Sequence, residues 1–247
     1  MTNYAQYWAD NTFEMHYRVA EIKRLLKSRA QPNATLVRVG SNTDGGYIVS
    51  DDITAADYVV SFGVDTNVDF EAELQARYDC FIDLYDYTVK DLPQPIPYAT
   101  FYPERIGVEP GDTTLATCLS RAQGDTILKI DIEGSEWDVL AQAEDLTKCR
   151  QILVEFHWLQ NLQSESFYLT AFKALANLRA NHTPVWIHAN NNVPLMVMGN
   201  SPVPMVFEVL YLRTDSYTWT DYPDLPGLEG LTTRNDANFP EIALTFP

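Results

Sequence analysis

Residues 127–137, with the sequence ILKIDIEGSEW, constrain the fold more than any other segment of the chain. They form an apolar strand-like run that ends in two carboxylates, followed by a glycine and the polar first turn of a helix. Open α/β sheets build ligand sites in this way, at the carboxyl end of a strand. Because an unpaired buried carboxylate is costly, Asp131 predicts a partner, a ligand or a metal ion beside it.

Apolar strand-like runs alternate with helical segments along most of the chain. We expect strands at YVVSFGV, CFIDLYD, TFYPERIGV, ILKIDIE, QILVEFHW, PVWIHAN and VFEVLYLR, and helices over residues 70–77, 114–122, 135–143 and 164–178. Near-continuous apolar strands that alternate with helices predict an α/β fold with a mostly parallel sheet covered on both faces. The last two strands have no helical segment between them, which predicts that they pair antiparallel.

Two further regions complete the predicted organisation. Residues 1–35 are expected to form an N-terminal helical region, and residues 36–247 a single α/β domain. In TLVRVGSNTDGGYIVSDD, alternating apolar runs flank Asp44, Gly45 and Gly46, and such turns need positive φ angles. This segment predicts a β-hairpin flap, whereas the tail from residue 222 to 247 is expected to be irregular.

The charge and composition exclude several classes of partner. With 34 acidic and 17 basic residues the formal net charge is −17, which disfavours nucleic acid and anionic membrane surfaces. No apolar run approaches the roughly 20 residues of a spanning helix, and the first residues lack the pattern of a signal peptide. We therefore expect a cytoplasmic protein that acts on a small molecule, with an oligomer possible. Cys80, Cys118 and Cys149 form no CxxC pair and are predicted to be reduced thiols.

The first two predicted strands end in candidate cofactor-binding residues. Gly63, with Asp65 just beyond it, ends the first strand, where a glycine lets a ligand approach the backbone; an ordinary strand-to-helix turn is the alternative. Asp86 ends the second strand roughly 20 residues later, where cofactor domains have an acid that binds ribose hydroxyls. For Asp86 the alternative is a solvated loop acid.

Acidic and imidazole side chains recur at the ends of the later strands. Asp131 and Glu133 share a face of the fourth strand, and Glu155 and His157 end the fifth, so four polar groups are expected at one edge of the sheet. Such groups could hold Mg²⁺, Ca²⁺ or Mn²⁺. The candidate metal ligands are Asp131, Glu155, His157, His188 and Glu208, of which His188 precedes Asn190 and Asn191 at the end of another strand. Carboxylate–histidine pairs that need no ion are the alternative.

Arg38 lies beside the predicted hairpin turn and is one of few basic residues. Its guanidinium could bind a carboxylate through two hydrogen bonds, such as that of an amino-acid-bearing cofactor. A salt bridge to a nearby acid is the alternative.

These segments together resemble class I S-adenosylmethionine-dependent methyltransferases and, within them, the FkbM-type family. The resemblance rests on RVGSNTDGGY, VVSFGV, LYDYT, ILKIDIEGSEWDVL, ILVEFHW, IHANN and FEVLYLR, in this order. It implies a Rossmann-like sheet of seven strands in the order 3-2-1-4-5-7-6, with S-adenosylmethionine across the ends of strands one and four. It also implies methylation of an oxygen, often on a sugar.

The expected cofactor contacts follow from the resemblance together with the strand ends. They are Arg38, Ser61, Gly63, Asp65, Asp86, Ile106, Gly107, Val108 and Asp131. Gly63 and the adjoining turn would face the methionine moiety, Asp86 the ribose, and residues 106–108 the adenine. The usual glycine-rich first motif is reduced to FGVDTN in this chain.

A catalytic role is expected for His157, as the base that takes a proton from an acceptor hydroxyl. Asp131 and Glu155 would orient His157, or hold a cation that lowers the pKa of the acceptor. Some metal-dependent O-methyltransferases of this fold bind Mg²⁺ through an acid after strand four and an acid–amide pair after strand five, and these residues occupy similar positions. A non-catalytic binding domain on a methyltransferase scaffold and a nucleotide-sugar-modifying enzyme are the alternatives.

Overall fold

The computed structural model describes residues 12–27, 34–219, 230–242 and 244. Its helices within these ranges are α1 (Phe13–Leu25), α2 (Asp69–Tyr78), α3 (Leu115–Arg121), α4 (Glu136–Ala141) and α5 (Glu165–Asn181). Its strands are β1 (Leu36–Gly40), β2 (Gly46–Ser50), β3 (Tyr58–Phe62), β4 (Phe81–Tyr85), β5 (Ala99–Tyr102), β6 (Thr126–Ile130), β7 (Cys149–Phe156), β8 (His182–Ala189), β9 (Leu195–Met198), β10 (Ser201–Pro204) and β11 (Phe207–Arg213).

Seven of these strands form one sheet in the order β5-β4-β3-β6-β7-β11-β8. The neighbours from β5 to β7 pair parallel, whereas β11 pairs antiparallel with both β7 and β8. Numbered along the chain within this sheet alone, the strands run 3-2-1-4-5-7-6. The predicted α/β class, the mostly parallel sheet and the antiparallel last pair are confirmed.

Both faces of the sheet are covered, because successive strand side chains point to opposite sides. One face packs against α1, α3, α4 and α5, where Trp137 stacks on Phe156 with 4.3 Å between ring centroids. The other face packs against α2, the β1–β2 hairpin and part of the C-terminal tail. Burial on both faces explains why the central strands read as continuous apolar runs.

The predicted hairpin is present and is fastened to the sheet. Strands β1 and β2 pair from Leu36 and Ser50 to Gly40 and Gly46. The Gln151 amide of β7 donates to the Ser50 carbonyl at 2.9 Å and accepts from the Ser50 N–H at 2.8 Å. The hairpin is therefore packed against one face of the sheet as part of the core.

Some elements differ from the sequence expectations. Of the expected N-terminal helical region, α1 lies within the described residues, whereas residues 1–11 and 28–33 lie outside them. A second hairpin, β9–β10, joins β8 to β11 and was not expected. Its turn residues Gly199 and Asn200 both have positive φ, at 54° and 57°. The described part of the tail contains neither helix nor strand, as expected.

Two further expectations concern the thiols and the membrane. All three cysteines are free and buried, which confirms that they form no disulfide with one another. Among the described helices, none combines the length and the apolar character that crossing a bilayer requires.

Candidate functional site

The carboxyl ends of the parallel strands meet at one edge of the sheet. Phe62 of β3 is in register with Tyr85 of β4 and with Ile130 of β6, and Ile130 is in register with Val154 of β7. The candidate residues that follow these strands therefore share this edge, namely Gly63, Asp86, Asp131 and His157.

Tyr47 of the hairpin connects two of the predicted catalytic acids. Its hydroxyl donates to Asp131 Oδ2 at 2.8 Å and lies 3.5 Å from Glu155 Oε2. The other Glu155 oxygen accepts from Asn190 Nδ2 at 2.8 Å. Burial raises the pKa of Glu155 well above its usual value, and the charges of Asp131 and Glu208 raise it further. Glu155 is thus a buried carboxyl that resists ionisation.

Lys129 is the cationic partner of Asp131. Its Nζ lies 3.5 Å from Asp131 Oδ2, and it donates to the carbonyls of Gly63 at 2.6 Å and Phe62 at 3.3 Å. The Lys129 side chain is 4% exposed, so the ammonium needs these acceptors to offset the cost of burial. The partner that the sequence predicts for Asp131 is therefore supplied by Lys129 and Tyr47.

His157 is held between two glutamates. Its Nδ1 lies 3.1 Å from Glu136 Oε1, and its Nε2 lies 3.5 Å from the exposed Glu133 Oε2. Burial alone would lower the pKa of His157, but the hydrogen bond and charge of Glu136, with the charge of Asp131, raise it to about 9. At neutral pH His157 is therefore mostly an imidazolium ion.

Glu136 is buried completely and is held by the preceding loop. Its Oε1 accepts the N–H of Ile132 at 2.8 Å, and its Oε2 accepts the N–H of Gly134 at 2.9 Å. These bonds fix the carboxylate at the start of α4, where the helix dipole also favours negative charge. Glu136 thereby sets both the position and the protonation of His157.

A possible metal triad consists of Asp131, Glu136 and His157, whose ligand atoms lie within 4.8 Å of one another. The two carboxylates already accept hydrogen bonds, Asp131 from Tyr47 and Glu136 from the backbone. Coordination also requires a neutral imidazole, and the raised pKa keeps a proton on His157 at neutral pH. At neutral pH a divalent cation would therefore have to displace the proton of His157 and compete with these hydrogen bonds to bind here.

The other predicted metal ligands have protein partners of their own. Glu155 is held by Tyr47 and Asn190, as described above. His188 Nε2 lies 2.8 Å from Glu241 Oε1 in the C-terminal tail, and Glu208 Oε1 accepts from Asn235 Nδ2 at 3.0 Å. His188 and Glu208 therefore fasten the tail to the sheet.

Asn191 completes this attachment of the tail. Its side-chain amide donates to the carbonyls of Asp236 at 2.9 Å and Phe239 at 3.1 Å. Its side-chain oxygen accepts from the Asp236 N–H at 2.8 Å. The tail segment 235–241 is thus held by side chains at the ends of β8 and β11.

Gly63 has a structural reason to be glycine. Its φ is +72°, and a Cβ at this position would lie 1.5 Å from the carbonyl oxygen of Asp131. The end of β3 can approach the end of β6 only because no side chain intervenes. Ser61, two residues earlier, donates to the buried Glu71 at 2.5 Å, so its hydroxyl is used within the core beneath α2.

Asp86 organises the loops after β3 and β4. Its Oδ2 accepts the N–H of Asp65 at 2.8 Å, and its Oδ1 accepts the N–H and hydroxyl of Thr88 at 2.7 and 2.6 Å. Burial by itself would raise the pKa of Asp86, but the hydrogen bonds from Thr88 and Asp65 outweigh it and lower the pKa. An ionised carboxylate at the end of β4 is suited to accept hydrogen bonds from ribose hydroxyls.

The remaining predicted cofactor residues have local partners. The N–H of Gly107 donates to the Thr113 carbonyl at 3.2 Å, while Ile106 is buried and Val108 packs against the core. Arg38 donates to the carbonyls of Ser41 at 2.9 Å and Thr43 at 2.7 Å. Arg38 therefore holds the hairpin turn, a role that neither sequence alternative anticipated.

A seven-stranded α/β sheet with polar side chains at its carboxyl edge defines the Rossmann-like class of cofactor-binding folds. Within this class, residues 6–179 match the model of the methyltransferase FkbM domain. The match covers more than two thirds of the chain, and the protein belongs to the FkbM methyltransferase family. A search of curated proteins gave no match.

Proposed function

We propose that the protein transfers a methyl group from S-adenosylmethionine to a hydroxyl oxygen of a neutral small molecule or carbohydrate. Membership of the FkbM family supports methyl transfer. The observation that carries the assignment to oxygen is His157, an imidazole with a raised pKa at the strand-end edge of the sheet. An alcohol is a poor nucleophile until its proton is removed, and a strong base meets that need.

The chain offers cofactor contacts at the neighbouring strand ends. When bound, S-adenosylmethionine would supply a methyl group that is already activated for displacement. The ionised Asp86 would accept hydrogen bonds from its ribose hydroxyls, next to the turn that begins at Gly63. Residues 106–108 follow β5 at the same edge and would border the adenine.

The two ring nitrogens of His157 have different roles in this mechanism. Nδ1 is held by the buried Glu136, whereas Nε2 faces the exposed Glu133. The acceptor hydroxyl would therefore give its proton to Nε2. Glu136 would stabilise the resulting imidazolium, as would the negative charge of Asp131.

The pH dependence follows from the protonation of His157. Only the neutral ring can accept a proton, and with a pKa of about 9 about 1% of it is neutral at pH 7. The rate should therefore rise about tenfold per pH unit and level off near pH 9. A base of this strength also has a larger driving force for proton transfer from an alcohol.

The test combines cofactor binding with turnover. S-adenosylmethionine binding is measured by calorimetry, and transfer of a labelled methyl group is measured on a panel of neutral alcohols and methyl glycosides. His157→Ala should lower turnover roughly 10²- to 10⁴-fold and remove the rise with pH, while binding of the cofactor is unchanged. His16→Ala, on α1, is the matched control. Full turnover in His157→Ala would refute the role as base.

A second candidate function is a non-catalytic binding domain on the same scaffold. The environment of Gly63 favours this candidate. The Asp131 carbonyl fills the space beside Gly63, so the need for a glycine at this position is explained without a bound ligand. Calorimetry separates the two candidates. Absence of binding at millimolar S-adenosylmethionine would favour the scaffold, and micromolar binding accompanied by methyl transfer would exclude it.

A further inference from the structure

We propose that the indole of Trp158 is the surface on which the acceptor packs, directly beside His157. This inference rests on the proposed function and assigns the residue that positions the acceptor. Three features of Trp158 carry it: its exposure, its backbone conformation and the way in which its ring is held.

Trp158 is far more exposed than the two buried tryptophans of the core. It is 47% exposed, whereas Trp137 and Trp186 are 1% and 4% exposed. Leaving so much of an indole in water forgoes the stabilisation that burial gives. A large aromatic side chain next to a candidate base therefore calls for a reason outside the packing of the core.

The backbone of Trp158 is in the left-handed region, with φ 65° and ψ 29°. This conformation is unfavourable for a bulky residue, and such outliers collect at functional sites. Glu133, in the loop after β6, also has a positive φ of 56°. Both loops beside His157 are thus held in unfavourable conformations.

The ring and its peptide are fixed by neighbouring groups. Trp158 Nε1 donates to the Glu133 carbonyl at 3.3 Å, and the His157 carbonyl accepts from the buried Trp137 Nε1 at 2.6 Å. A Cβ on Gly134 would lie 2.4 Å from Trp158 Cδ1 and Nε1, so this glycine leaves room for the indole edge. A fixed aromatic surface binds a partner with little loss of conformational entropy.

The chemistry around the indole defines the acceptor that it fits. Glu133, with a side chain 81% exposed, and Asp131, with one 21% exposed, offer carboxylate oxygens that accept hydrogen bonds. An acceptor with a flat C–H face and several hydroxyls, such as a pyranose ring, would pack on the indole and donate to these acids. One of its hydroxyls would then lie within reach of His157 Nε2.

Two variants separate this role from a purely structural one. Trp158→Phe and Trp158→Ala both lose the Nε1–Glu133 hydrogen bond and both place a Cβ at the same left-handed position, but only Phe retains an aromatic face. We expect Trp158→Ala to raise the KM for a methyl hexopyranoside about tenfold. Trp158→Phe should stay within about threefold of the wild type, with kcat and the S-adenosylmethionine Kd unchanged in both. Trp219→Ala, which alters a partly exposed tryptophan after β11, is the matched control.

The outcomes are distinct. Equal effects of Phe and Ala would assign Trp158 to loop structure and overturn the inference, as would a change confined to the cofactor Kd. If the wild type transfers no methyl group to any alcohol or glycoside of the panel, the proposed function fails on its own. In that case, and where alcohols alone are methylated, the inference is judged by saturation-transfer NMR with the same methyl hexopyranosides. Binding signals that Trp158→Ala alone abolishes would support the inference, and absent or unchanged signals would overturn it.

Discussion

The ion pair between His157 and Glu136 should make the stability of this protein depend on pH. The folded pKa of His157 is about 9, against about 6.5 for an unfolded histidine. A difference of roughly 2.5 units corresponds to about 3 kcal/mol of unfolding free energy. Because the folded pKa is raised, this contribution is complete below about pH 6.5 and is lost as the pH rises through 9.

Replacing His157 by Gln removes the charge and retains a polar side chain. Urea unfolding of both proteins at pH 6 and pH 9.5 gives the cost of the substitution at each pH. This cost should be about 3 kcal/mol smaller at pH 9.5 than at pH 6.

His182 provides the control, because it is also buried but burial lowers its pKa. A lowered pKa gives a contribution that is lost as the pH falls, so the cost of His182→Gln should not shrink as the pH rises. If the cost of His157→Gln is the same at pH 6 and pH 9.5, the assignment of an ionised His157–Glu136 pair is wrong.

Three further predictions concern the neighbouring structure. Gly63→Ala should destabilise the fold by more than about 2 kcal/mol, because its Cβ would meet the Asp131 carbonyl; an unchanged urea midpoint would contradict this. Dialysis against a chelator should leave turnover within about twofold, since a cation at the triad would have to displace the proton that His157 holds at neutral pH, and a loss restored by Mg²⁺, Ca²⁺ or Mn²⁺ would contradict this. Asn191→Ala should speed amide exchange in residues 235–241 but not in β6, and equal exchange in both proteins would show that Asn191 does not hold the tail.

Much of the fold could be predicted because its signals are local. Each strand of the large sheet is a short apolar run bounded by turn residues. Where such a run ends in Asp86, Asp131 or His157, the polar residue marks the carboxyl end of the strand. Parallel pairing in the sheet then places these carboxyl ends at one edge, regardless of the structure of the connecting loops. The β9–β10 hairpin was missed although Gly199 and Asn200 form a hairpin-turn signal.

The partners of these residues were harder to predict. Tyr47 is 84 positions from Asp131 in the sequence, and nothing near either residue indicates the contact. Lys129 lies within an apolar strand, where its role depends on the carbonyls of the neighbouring strand. Glu136 does have a local signal in the sequence, because an acid in the first turn of a helix can reach back to the preceding backbone N–H groups.

Positive φ angles at Asp65, Glu133 and Trp158 have a consequence for engineering this enzyme family. A glycine at any of them would relieve roughly 1–2 kcal/mol of backbone conformational energy. Selection for heat tolerance alone would therefore tend to enrich glycine at these three codons and to erase side chains that border the proposed site. Libraries built for thermostability should hold them constant.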